Sequence, residues 1–202
     1  MTVAESLLFA VLGGLFGAIS TVTVQYLRER WLQPRLRVTW DRREGGCVVL
    51  TPVVHATTLE PLGECRYLRL RIDNDGRTTA KSAGVSILSI RRRISGSGED
   101  NFDEEVMDLT YPFARPTRAT RADIPPKTHR FINLCHTSRM LDGTQEFAFD
   151  IEVNPIRMKV KYDNSAADYE VELMIAADNV MGRRINAVPI RHGGAFDSLH
   201  FQ

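Results

Sequence analysis

Lysine is scarce in this chain. Of 26 basic residues only four are lysines (Lys81, Lys127, Lys159, Lys161), and 25 acids leave a formal net charge of +1. That balance argues against general electrostatic binding to nucleic acid, which needs a strongly basic surface. Cysteine is scarce too. Cys47, Cys65 and Cys135 are odd in number and widely spaced, with no CxxC pair. They make neither a disulfide framework nor a zinc site, and they fit a reducing compartment, one disulfide plus a free thiol being the other arrangement. The five histidines (His55, His129, His136, His192, His200) form no HxH or HExxH pair, no serine sits in a GxSxG elbow, and no glycines form a phosphate loop. Cys135 and His136 adjoin, but neighbours on a strand point to opposite faces. The expectation is a non-enzymatic protein with no cofactor and no metal.

Charge is missing altogether from Ser6 to Leu27, 22 positions dominated by Leu, Phe, Val and Ile. A helix of that length would be about 33 Å long, enough for a hydrocarbon core of about 30 Å. The reading is a transmembrane helix over 6–27, preceded by a tail, 1–5, and followed by a juxtamembrane linker, 28–34. Glu5 stands where a secretory signal peptide would carry basic residues. The positive charges follow the run instead, at Arg28, Arg30, Arg35 and Arg37. By the positive-inside rule these topology determinants stay in the cytoplasm beside the lipid headgroups, with the N-terminus outside. Tyr26 and Trp31 stand where an interfacial aromatic belt would be.

Small residues recur every fourth position along this segment. The ridges include Ala10, Gly14 and Ala18, and beside them Gly13 and Gly17. Such ridges let two helix backbones approach closely, so they predict a homo-oligomer or pairing with a partner's helix.

From Leu36 onward the pattern changes to period two. Leu36, Val38 and Trp40 alternate with polar residues, as do Leu68, Leu70 and Ile72, and later Tyr169, Val171, Leu173 and Ile175. Gly45-Gly46, Asn74-Asp75-Gly76, Asn154-Pro155 and Asp163-Asn164 punctuate the strands, and Met158, Val160 and Tyr162 read as one more. Two stretches, 95–105 and 112–126, read as long loops. Residues 35–202 are therefore expected to form one all-β domain of eight or nine short strands, a β-sandwich with a small β-barrel as the alternative. Arg91-Arg92-Arg93 is the densest basic run and a candidate contact for an anion or an acidic partner.

The segment Leu68-Arg69-Leu70-Arg71-Ile72-Asp73-Asn74-Asp75-Gly76, followed by Ala80 and Val85-Ser86-Ile87, resembles bacterial CARDB-type and related immunoglobulin-like domains. Asp123-Ile124-Pro125-Pro126, leading into Arg130-Phe131-Ile132, is similar to a segment of bacterial membrane-anchored proteins that carry such domains. The resemblance implies an immunoglobulin-like sandwich with an interaction role and carries over no active residues. Together these readings make an expectation: a single-pass protein of the bacterial inner membrane, in the lipid bilayer, whose cytoplasmic sandwich binds a partner protein. The alternative expectation is a ligand-gated membrane effector of an antiphage system, its β domain binding a cyclic nucleotide.

Overall fold

The computed structural model describes residues 3–41, 45–94, 99–102, 106–112, 120–151 and 165–202, with backbone alone for 3–13 and 99–102. The strand expected around Met158, Val160 and Tyr162, with its flanking turns, lies outside them. One helix, α1, spans Val3–Leu32. Among the described residues no helix is long and apolar enough to cross a membrane, and this corrects the expected transmembrane helix. The physical reason lies in the second half of α1. Ser20, Thr21, Thr23 and Gln25 interrupt the apolar residues there, and Thr21 and Thr23 turn their hydroxyls back to the carbonyls of Gly17 and Ile19 at 2.9 and 2.7 Å. Arg28, Glu29 and Arg30 are helical as well, inside the stretch expected as a linker. Without such a span, the orientation inferred from the arginine flank loses its premise.

The rest of the fold is β. The elements are β1 (Leu36–Thr39), β2 (Val48–Val54), β3 (Pro61–Asn74), β4 (Ala80–Ile94), β5 (Glu99–Phe102) and β6 (Met107–Asp108), then β7 (Ala122–Ile124), β8 (His129–Met140), β9 (Gln145–Phe149), β10 (Ala167–Ala177), β11 (Val180–His192) and β12 (His200–Phe201). They form two antiparallel sheets. In the five-stranded sheet the order is β1-β3-β8-β9, with β2 continuing the β1 edge along the other half of β3. In the seven-stranded sheet the order is β12-β11-β10-β4, and β7, β6 and β5 line the far side of β4 one after another.

The alternation read from sequence fixes the faces. Leu68, Leu70 and Ile72 of β3 and Tyr169, Val171, Leu173 and Ile175 of β10 are all at most 2% exposed and belong to one shared core. Phe147 of β9 meets Tyr169 of β10 at 5.1 Å between ring centres, which ties the two sheets together across that core. The arrangement is a sandwich and not a closed barrel, and its two flanks differ. On one flank Leu109 bridges to Ile151, and Thr110 takes part in backbone hydrogen bonds to both Asp150 and Asn133, so the sheets are stitched together. On the other flank β1 faces β11, and among the described residues no strand joins them.

Asn74 organises the end nearest the helix. It is 1% exposed and fully engaged. Its Oδ1 accepts from the N–H of Arg35 at 3.2 Å and of Gly76 at 3.0 Å, and its Nδ2 donates to the carbonyls of Thr78 at 2.8 Å and Ile124 at 2.9 Å. Gly76 is needed for close approach. A Cβ there would lie 2.5 Å from both the Arg35 nitrogen and Pro34 Cα. The helix C-terminus docks on this same turn, with the Arg77 guanidinium 3.5 Å from the centre of the Trp31 ring.

Candidate functional site

The residues singled out from sequence separate in space. On α1, Gly14, Gly17 and Ala18 are exposed, with open space where a Cβ at either glycine would point. The surroundings of Ala10 and Gly13 lie outside the described residues. Arg28 and Arg30 sit on the helix, Arg30 reaching the Tyr26 hydroxyl at 3.4 Å. Arg35 and Arg37 belong instead to the strand segment beyond Pro34, where Arg37 pairs with Asp75 at 3.4 Å.

Strand alternation splits the arginine run. Arg91 and Arg93 face outward from β4, opposite Glu170 and Asp168 of β10, while Arg92 points the other way, opposite Tyr169. The outer face of this sheet is a charge ladder. Acids on β10 stand between β4 and the arginines of β11: Arg91 bonds Glu170 at 2.9 Å, Arg191 approaches Asp168 at 3.6 Å, and Arg184 pairs with Glu172 through both nitrogens of its fork. The hydrogen bonds from Arg184 hold the Glu172 carboxyl below its ordinary range. A polar groove of about 450 Å³ runs over the ladder, beside a bulge where Ala187 adopts a φ of 54°.

A second polar cluster lies on the outer face of the five-stranded sheet. Cys65, Tyr67 and Arg69 project from β3, Asn133 and His136 from β8, and Asp150 follows β9. His136 Nδ1 lies 3.1 Å from Asp150 Oδ2, and its ring lies 5.2 Å from that of Tyr67. Arg69 Nε donates to Asn133 Oδ1 at 3.0 Å. A cysteine beside a His–Asp pair suggests nucleophilic chemistry, but burial pushes the Cys65 thiol up to about 11. At neutral pH it stays protonated and hydrogen-bonded to Tyr67, itself raised by burial. This cluster is a satisfied polar network. Cys135 points into the core from the opposite face, with its thiol also raised by burial. Among the described residues no three of His, Cys, Asp and Glu come together to hold a metal ion.

Sequence reading missed the open flank. There a groove of about 250 Å³ separates β1 from β11. Its floor is apolar: Leu36 and Val38 from β1 and Trp40 just after it, facing Ile175 and Ile185. Its rim carries Arg37, Arg183 and Arg184, and among the described residues no carboxylate lines it. The period-two pattern of Leu36, Val38 and Trp40 was the available signal, since it says that this strand has an apolar face to cover. No family model matches this chain, and no curated protein matches it.

Proposed function

We propose that the protein is a non-catalytic interaction module whose sandwich binds a partner protein along the open flank between β1 and β11, and whose helix pairs with a second helix. The observation that carries this reading is the asymmetry of the sandwich: one flank is stitched by backbone hydrogen bonds, and the other has no strand joining its two edges among the described residues and leaves Val38, Trp40 and Ile185 only partly buried. Uncovered edges are templates for added strands. The helix supports the second half. Leu15, Phe16, Ile19, Val22, Val24 and Leu27 are all more than half exposed, and so many uncovered large apolar side chains on one helix call for a partner.

The test is affinity capture of the intact protein under mild conditions, with chemical cross-linking of the captured material. A specific partner whose recovery falls when Trp40→Arg alters the flank supports the proposal. Recovery of neither partner nor self-complex overturns it. A cyclic nucleotide is the less supported ligand: in the outer groove Arg91 and Arg184 each face a carboxylate that its phosphates would have to displace.

A further inference from the structure

The flank has two edges, and they are not equivalent. Strand β11 is bulged twice, its register with β10 shifting between Val171 and Leu173 and again between Ile175 and Ala177. Bulges twist an edge away from regular pairing and are a common protection against added strands. Strand β1 pairs with β3 in unbroken register from Leu36↔Asn74 to Thr39↔Arg71, and its other side has no strand among the described residues. Its alternate residues Leu36 and Val38 turn toward the groove, with Trp40 beyond them, while Arg37 stands on the exposed side.

The charges are one-sided. Among the described residues that line it, three of nine are arginines and none is acidic. Arg37 and Arg184 already hold Asp75 and Glu172, but Arg183 is exposed and has no carboxylate partner among the described residues. A ligand that lies along β1 therefore meets apolar side chains on one face and guanidinium groups along its rim.

From this we infer that the flank takes an extended, acidic segment of a partner protein, which adds as a strand to the open edge of β1. The backbone of the segment supplies ladder hydrogen bonds to β1. Its alternate apolar side chains rest on Val38, Trp40 and Ile185. Its carboxylates meet Arg183. The inference rests on the flank being a binding surface, as proposed above, and adds the chemistry and conformation of what binds.

The experiment uses the intact chain and a short synthetic peptide that alternates glutamate with valine, labelled for fluorescence anisotropy. Two controls accompany it: a lysine–valine peptide of equal length, and the glutamate peptide N-methylated at alternate residues, which cannot complete a ladder. The expected result is saturable binding of the glutamate peptide alone, with a change in tryptophan emission. Arg183→Glu should weaken it roughly five-fold, the size expected for an exposed charge contact, with an unchanged circular dichroism spectrum. Equal binding of the N-methylated peptide overturns strand addition, and equal binding of the lysine peptide overturns the acidic preference. A flank-dependent partner in the capture experiment, together with no peptide binding, overturns this inference and leaves the broader proposal standing. Concentration-dependent dimerisation abolished by Trp40→Arg would make a second copy the occupant and would also overturn it.

Discussion

The Thr78 hydroxyl donates to the carbonyl oxygen of Leu32 at 2.7 Å, joining the turn after β3 to the last residue of α1. The final carbonyls of a helix have no partner within it, so this bond satisfies a group that would otherwise turn to water. Thr78→Val should cost about 1 kcal/mol. Amide hydrogen exchange over residues 28–32 should quicken in that variant, while the strands of the core remain protected.

Gly76→Ala should be worse. The new Cβ would press on Arg35 and Pro34 backbone atoms that cannot swing aside. Overpacking of this kind costs about 1–3 kcal/mol. A fall in melting temperature checks it, and a neutral result would show that the junction can shift.

Asn74→Ala should be among the most damaging single changes in the sandwich. It leaves two N–H groups and two carbonyls without the side-chain partner that served them. A buried group left unsatisfied costs about 1–3 kcal/mol, so a loss of about 3 kcal/mol or more is expected in urea unfolding. Asn74→Asp should not rescue it, because a carboxylate cannot donate to the carbonyls of Thr78 and Ile124.

Cys65 is one of several buried groups that make stability fall at alkaline pH. The Cys65 thiol has a folded value of about 11 against an ordinary 9.0, so the folded state keeps its proton longer. Its contribution is fully present below pH 9 and is lost as pH rises toward 11, an effect of about 2–3 kcal/mol. Cys65→Ala should flatten that alkaline decline in chemical unfolding, and an unchanged slope would assign it elsewhere.

His192 acts at the other end. It is 1% exposed, stacks on Phe147 at 5.0 Å between ring centres, and is held below its ordinary value by burial. Its neutral form is favoured in the fold, so stability should fall as pH drops below about 6.5. His192→Phe should remove part of that acid sensitivity, measured as melting temperature against pH.

How much of this was legible beforehand differs from element to element. Leu68, Leu70 and Ile72 declared a strand and its buried face, because period two is local information. What covers the opposite face is not local. Arg69 and Asp73 alternate with those residues as exposed positions would, yet they are 9% and 7% exposed. Nor could sequence bring Tyr67 beside His136, since that depends on the register of β3 against β8, about 70 residues apart. The arginine run was visible as composition, but its opposing acids on β10 became visible only with the pairing of β4 to β10. In α1 the apolar residues are plain in the sequence, while the polar residues of its second half and its charged last turns stand among them at single positions that an uncharged run does not display.

The placement of Asn74 has a mechanical consequence. It belongs to β3 of one sheet, and it holds Ile124 at the end of β7 in the other, along with the segment that leaves the helix. Traction on α1 is thus divided between both layers at once. A force probe pulling on the N-terminus should record a single rupture, with no earlier step in which the helix peels from an undisturbed sandwich.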